Sequence, residues 1–207
     1  MEDKLIHTTE PKVYEQTIRK KYRNYKWVLY FAIGGLSFMF FSLTLRYFFS
    51  TYQKPVIALY LNPLFYWNTI ILFGSSCAVE LAKYHYRNDH FSNYKTTLLA
   101  VLGLGILFLF GQMMGCILLF SSGFSFSHPS AAYLYVISGF HAGHIIGGLV
   151  FLSLFILKSL KMLKDYAVSV IYFTDPVVYS QLKLFSIYWH FLGFIWMYLL
   201  FFFLLIK

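Results

Sequence analysis

Five long apolar segments divide this chain, and they constrain its fold more than any other feature of the sequence. The segments cover residues 27–49, 59–82, 96–120, 131–157 and 184–206. A helix of about 20 residues spans the roughly 30 Å hydrocarbon core of a bilayer. Because a helix satisfies its backbone hydrogen bonds internally, it is one of the few structures that can cross lipid. The sequence therefore predicts an all-α membrane protein, a bundle of five transmembrane helices.

The composition indicates a surrounding of lipid rather than water. Of the 207 residues, 59% are hydrophobic and 12% are charged, against about 25% charged in an ordinary soluble domain. The net charge of +9 would suit nucleic acid, but the basic residues stand at segment ends and in short loops, which indicates membrane topology instead. We therefore expect membrane lipids, and no nucleic acid, as partners. Cys77 and Cys116 lie within apolar segments and predict neither a disulfide nor a metal motif.

The distribution of Lys and Arg predicts the orientation. Fourteen of the 17 fall on the side of the N-terminus, and such residues favour the cytoplasm. We expect a cytoplasmic N-terminus and an outer C-terminus, with residues 1–26 as a basic cytoplasmic segment and 27–207 as the transmembrane domain. No cleavable signal peptide is evident, so the first span is expected to direct insertion. Pro or Asn-Asp pairs predict joints at 54–55, 88–89, 128–129 and 175–176.

The fourth segment carries an unusually polar stretch, residues 138–148. On an ideal helix, three glycines form one stripe and three further residues lie about 130° away from it. The stripe is Gly139, Gly143 and Gly147, and the second face is His141, His144 and Gly148. Small residues at this spacing let helices approach closely, and histidines at this depth need polar partners. Two faces unsuited to lipid indicate that this helix belongs to an assembly.

A few other polar or amphipathic residues lie within the predicted spans: Asn68, Glu80, Gln112, Tyr188, Trp189, His190 and Trp196. We expect Asn68 and Gln112 to hydrogen-bond to neighbouring helices, as amides in membrane helices commonly do. Glu80 stands near the inner end of its span, close to Lys83, and is expected to reach the interface. Tyr188 and Trp189 also suit an interfacial aromatic belt.

The histidines do not predict a metal or haem site. Along ideal helices, His190 lies about 9 Å from the inner boundary, whereas His144 and His141 lie about 20 and 24 Å from it. Two haem ligands must face each other at similar depth, and no carboxylate or thiolate completes a tetrahedral site. No acid stands near the midplane to carry protons. The residues thus predict a non-catalytic chain without a cofactor or metal site, in which His144 and His190 bond to hydroxyl, amide or backbone groups.

Four motifs give the chain a family resemblance. GFHAGHIIGG at 139–148 resembles the "GxHgxHvxxG" segment of subunit III of haem–copper oxidases, and YWHF at 188–191, followed by Trp196, resembles the closing helix of that subunit. LFYWNT at 64–69 is similar to the second helix of its short bacterial members, and Gln112 matches the "GQ" of the third. The motifs lie in the family's order along residues 26–207.

The resemblance implies subunit III of a bacterial cytochrome c oxidase, in a five-helix form, in the cytoplasmic (inner) membrane. In that family, subunit III binds the catalytic subunit I, which holds the haem and copper, and has no redox centre itself. This chain would then serve aerobic respiration as part of a proton-pumping oxidoreductase of the electron transport chain. It would also contact other oxidase subunits. Bound phospholipid is the one candidate ligand, but the lipid cleft of the long form needs two helices that this chain lacks.

Three acids of the family pattern are missing here. The family's buried Glu in the first of these helices is replaced by the neighbourhood of Ser37, and two further acids are replaced by Gly115 and Gly193. These losses predict histidines without acidic partners and favour a structural role over a proton-related one.

Alternatives stay open within and outside the family. One is subunit III of a quinol oxidase, and another is a similar partner of nitric oxide reductase. From a different class, the chain would be a free-standing membrane carrier or a haem-binding protein.

Overall fold

Five long helices make up nearly all of the described chain. The computed structural model describes residues 2–52, 63–123, 126–127, 129–162 and 172–205, with side chains outside 2–15, 51–52 and 129–130. The helices are α1 (Glu2–Tyr52), α2 (Leu64–Arg87), α3 (Phe91–Ser121), α4 (Pro129–Met162) and α5 (Pro176–Leu205). Each contains a stretch long and apolar enough to cross a membrane, and the described ranges contain no β-strand. The predicted five-helix membrane bundle is confirmed.

Several helices run past the bounds that hydropathy predicts. α1 continues through position 26, and its candidate span is Gln16–Ser50. α3 begins at Phe91 rather than 96, and α5 begins at Pro176 rather than 184. The physical reason is that an apolar run ends at the edge of the hydrocarbon, whereas backbone hydrogen bonding continues into the polar interface until a turn stops it.

Turn chemistry ends the helices at two of the predicted joints. Between α2 and α3, Asp89 adopts a left-handed φ of 55°, a region that Asp tolerates better than most residues. At the start of α5, the Asp175 carboxylate accepts a hydrogen bond from the Val177 N–H at 2.8 Å, and Pro176 occupies the first helical position, which proline favours. The joint at 54–55 lies outside the described residues, as does position 128; Pro129 begins α4.

α5 occupies the centre of the packing. It contacts α1, α2 and α4, while α2 and α3 form the most extensive helix pair and α3 also contacts α4. Its buried residues recur every three or four positions along the whole helix, as expected for a face that packs on several neighbours: Val178, Leu182, Phe185, Ser186, Trp189, Leu192, Ile195, Trp196, Leu199 and Phe203. α1 packs against α4 and α5.

A cluster of tyrosines joins the segments at one end of the bundle. We call this the basic end; residues 19–26, the turn at 88–90 and the segment at 172–175 lie there. Tyr86 donates its hydroxyl proton to the backbone oxygens of Tyr172 and Asp175, at 2.7 and 3.0 Å. Ser159 donates to the Phe155 oxygen and so accepts from the Tyr172 hydroxyl. Burial raises the pKa of the Tyr172 phenol above its ordinary value.

Candidate functional site

His141 of α4 lies at the centre of the bundle. It is 0% exposed, and its ring packs against aromatic rings from three other helices: Trp196 at 5.4 Å, Phe108 at 5.8 Å and Phe40 at 6.3 Å between centroids. Its Nε2 lies 3.1 Å from the backbone oxygen of Leu192. A carbonyl only accepts, so Nε2 carries the proton in this contact. The histidine therefore ties α4 to α5 at the point where four helices meet.

Two amide side chains form further bonds between helices, as predicted. Asn68 of α2 donates to the Phe108 oxygen of α3 at 3.3 Å. Gln112 of α3 donates to the Ser138 oxygen of α4 at 3.0 Å. Each amide is 2% exposed. Because an unsatisfied amide costs free energy in an apolar interior, these bonds restrict both the register and the rotation of the helices.

Two indoles of α5 complete the ties to α2. Trp189 donates from Nε1 to the Ser75 hydroxyl at 3.0 Å, and Trp196 donates to the Thr69 hydroxyl at 3.1 Å. Both rings are buried, so the alternative of an interfacial belt does not apply to Trp189. Tyr188, which is half-buried, instead donates to the His144 backbone oxygen of α4 at 2.9 Å.

The second predicted face of α4 finds its partners within this chain. His141 and Gly148 are buried, and a Cβ on Gly148 would lie 3.1 Å from the Tyr188 ring and 3.2 Å from the Trp189 ring of α5. His144 is partly exposed, and its Nδ1 bonds to the Phe140 oxygen of the same helix at 2.6 Å. For His144, the predicted backbone partner is confirmed.

The glycine stripe of α4 behaves differently. A Cβ at Gly139, Gly143 or Gly147 would meet no described atom within 4 Å, so close approach at this stripe stays a prediction about a partner outside the chain. The glycines that this bundle does require include Gly111, where a Cβ would fall on the Asn68 amide oxygen, and Gly115, where it would lie 3.0 Å from Phe65. Their spacing of four on α3 is the signal that could have identified them.

His190 has an acidic partner, contrary to the prediction that the missing family acids leave the histidines without one. Its Nε2 lies 2.9 Å from Oε1 of Glu80 on α2. The same oxygen accepts from Lys83 at 2.6 Å, as expected, and from Ser186 at 3.0 Å. The prediction failed because it considered acids at the family's positions, whereas this carboxylate comes from a different helix. The Glu80 side chain is 51% exposed.

The predicted difference in depth between His141 and His190 is also wrong. His141 bonds to the backbone of Leu192, two residues from His190, so the two lie at similar levels. The error follows from placing the start of the fifth helix at 184, when α5 begins at Pro176. The two rings nevertheless have different surroundings. His190 pairs with Glu80 of α2, whereas aromatic rings enclose His141.

The described side chains do not assemble a recognisable metal centre. No group of three or more His, Cys, Asp or Glu side chains among them lies close enough together to hold a metal ion. The bonds that Asn68, Gln112 and His141 make to neighbouring helices support interhelical cohesion as the role of these polar residues.

Comparison with known proteins adds no identification. No model of a known protein family matches the chain, and no curated protein matches it significantly in sequence. What the structure establishes is a multi-pass helical membrane protein with a polar layer at its core.

Proposed function

We propose that this chain is the non-redox subunit III of a respiratory haem–copper oxidase, most specifically a bacterial cytochrome c oxidase. In this role it packs on the catalytic subunit I and stabilises it, while the haem and copper chemistry takes place in that partner. The chain acts in the cytoplasmic membrane and contributes no catalytic residue to the reaction.

One observation carries the proposal: residues of all four family-like motifs meet one another. The motif of α2 supplies Asn68 and Thr69, and Thr69 accepts from Trp196 of the closing helix. The motif of α3 includes Gly111, against which the Asn68 side chain packs so closely that a Cβ there would overlap it. His141 of the α4 motif stacks on Trp196 of the closing helix at 5.4 Å between ring centroids. The four motifs are far apart in the chain, yet their residues lie in one connected layer of the bundle. This supports common ancestry with the oxidase subunit better than four chance matches would.

The free stripe on α4 supports a role within a complex. Gly139 and Gly143 present bare backbone on the surface of the bundle, whereas Gly147 faces the space beside α1. A surface of small residues favours close contact with another membrane helix. We assign the Gly139 and Gly143 part of the stripe to the contact with subunit I. A bulky side chain at its centre is then expected to weaken the complex while leaving the bundle intact.

The test is purification of the full chain through a tag in mild detergent, followed by an optical spectrum and mass spectrometry of the co-purifying proteins. A haem–copper subunit I is expected, together with c-type cytochrome or copper-binding subunits. In Gly143→Leu, recovery of that partner should fall about tenfold, whereas Gly103→Leu, at another glycine with no atom within 4 Å, should retain it. Recovery of a colourless, partner-free chain from cells that contain an oxidase would contradict the proposal.

A further inference from the structure

The C-terminal part of α1 is packed into the bundle, whereas the part before it is not. Phe40, Thr44 and Tyr47 are 1%, 1% and 2% exposed, and their spacing places them on one face of the helix. Of residues 16–39, whose side chains the structure describes, none is buried. The buried contacts that hold α1 to α4 and α5 therefore begin at Phe40.

The N-terminal part of α1 stands away from its neighbours. Between positions 18 and 32 a space of about 590 Å³ separates it from α4 and α5. The facing walls are largely apolar, with Val28 and Leu29 on α1 and Phe151 and Phe185 across from them. Lipid tails are as apolar as these side chains, so packing the walls together gains little from the hydrophobic effect. An open and a packed position of this part of α1 are thus close in free energy.

A glycine pair joins the two parts of α1. Gly34 and Gly35 lie between Ala32, the last residue of α1 that lines the space, and Phe40, the first buried one. Glycine favours the helix less than any residue except proline, and helices bend readily at Gly and Ser pairs. A Cβ at either glycine would meet no described atom within 4 Å. Close packing within the chain is therefore not what these glycines provide.

Ser37 weakens the same part of the helix. Its hydroxyl donates to the Ile33 backbone oxygen at 2.8 Å, which is the acceptor that the Ser37 N–H uses in a regular α-helix. A serine that bonds to the carbonyl four residues earlier slightly destabilises a helix and often bends it. Residues 33–37 thus combine two features that weaken a helix, just before the packed part of α1 begins.

We propose that residues 33–37 are a hinge, about which residues 16–32 move as an arm towards α4 and α5 and away from them. The structure shows the arm in its open position. The arm is about 25 Å long at 1.5 Å per residue, so a rotation of about 10° moves its end by about 4 Å. The motion displaces a cluster of cations at the basic end: Arg19, Lys20, Lys21, Arg23 and Lys26. The inference does not rest on the proposed oxidase role.

The test is double electron–electron resonance on the full chain, purified with whatever partners it brings and placed in lipid nanodiscs. In a cysteine-free background, one pair of spin labels joins the arm to α4, at Arg23 and Lys158. A second pair joins the packed part of α1 to α5, at Leu45 and Phe201. All four positions are exposed. The distance distribution of the arm pair should be wider than that of the second pair by about 4 Å.

Alanine variants test the hinge itself. Gly34→Ala combined with Gly35→Ala should narrow the arm distribution to the width of the second pair, because alanine stiffens the helix and fits at both positions. Amide exchange at residues 33–37 should slow about fivefold per substitution, from the difference in helix propensity between glycine and alanine. Gly103→Ala on α3, with the same free space around it, is the matched control and should leave both measurements at wild-type values.

Two results would overturn the proposal. One is a wild-type arm distribution no wider than that of the second pair, which would mean that α1 is a single rigid rod. The other is an unchanged width in the double alanine variant, which would place the motion outside residues 33–37.

Discussion

The two flanks of α5 are held in different ways. Towards α2 it is fixed by two indole–hydroxyl bonds and by the Glu80–His190 pair. Towards α1 a side-chain hydrogen bond joins Tyr198 to Thr44 at 2.7 Å, and the Tyr47 ring packs beside it on Phe202 and Phe203. In the most apolar 18-residue stretch of each helix, 39% of the residues are buried inside the bundle in α4, but only 11% in α1. The helices α2–α5 form the cohesive unit, and α1 is attached along part of its length.

This difference shows how helices cohere in lipid. The solvent is as apolar as the core, so helix association depends on close packing and on hydrogen bonds between helices rather than on the hydrophobic effect. The polar ties and the close-approach glycines both concentrate in α2–α5. The following changes test that contrast, from the largest expected effect to the smallest.

Gly111→Leu should disrupt the cohesive unit most. Its side chain would occupy the position of the Asn68 amide. Overpacking of a core typically costs about 1–3 kcal/mol, and this overlap places Gly111→Leu at the upper end of that range. We expect a large loss of folded protein in thermal unfolding in detergent. Gly103→Leu, on the same helix but facing open space, should stay within about 0.5 kcal/mol of the wild type. Equal stability of the two variants would refute the close approach of α2 and α3.

Trp189→Phe should have the next largest effect. It removes the bond to Ser75 and leaves part of a fully buried indole site empty, at a cost of about 2 kcal/mol. Trp67→Phe is the control, because Trp67 is 63% exposed. In a double-mutant cycle with Ser75→Ala, a coupling of about 0.6 kcal/mol is expected, and strict additivity would mean that the bond contributes nothing.

Thr44→Val should loosen α1 without affecting the other helices. The change removes the hydroxyl that bonds to Tyr198, and interhelical hydrogen bonds in membranes average about 0.6 kcal/mol. Amide hydrogen exchange should rise in α1 and stay unchanged in α2. Thr96→Val is the control, since Thr96 is exposed and bonds to the Ser92 oxygen of its own helix. Faster exchange in all helices would mean that α1 is not a separable element.

Glu80→Gln should have the smallest effect. The Glu80–His190 and Glu80–Lys83 pairs are partly exposed, and exposed pairs contribute between about 0 and 1 kcal/mol. The unfolding midpoint should fall slightly at low salt, and the difference should vanish at high salt. A loss above about 2 kcal/mol would show that the pair lies in a much drier environment than its exposure indicates.

Much of this architecture is readable from the sequence because it depends on length and polarity. A segment of 20 apolar residues predicts a span, and a buried amide such as Asn68 predicts a bond to another helix. The direction in which each helix faces is harder to predict. Both the lipid side and the core side of a membrane helix are apolar, so hydrophobic periodicity does not separate them. The stripe at Gly139, Gly143 and Gly147 was therefore predictable as a stripe, but its position on the outside of this bundle was not.

Other features depend on the register between helices, which the sequence does not give. The pairing of Glu80 with His190 needs α2 and α5 to stand at a particular height relative to each other. The tyrosine cluster needs Tyr86, Tyr94 and Tyr172 to converge from separate segments. Tyrosines near helix ends also suit an interfacial aromatic belt. Without the relative heights of the helices, the sequence does not distinguish a belt from a buried tyrosine cluster.

The bonds of the two indoles also have a consequence for the order in which the bundle forms. Trp189 and Trp196 bond to partners 114 and 127 positions earlier in the chain, whereas the Asn68 bond closes a separation of 40. The α2–α3 hairpin is therefore complete early in synthesis, while the Ser75 and Thr69 hydroxyls wait for the last helix to arrive. Until then these two hydroxyl oxygens of the hairpin lack their indole donors, and insertion of α5 supplies both.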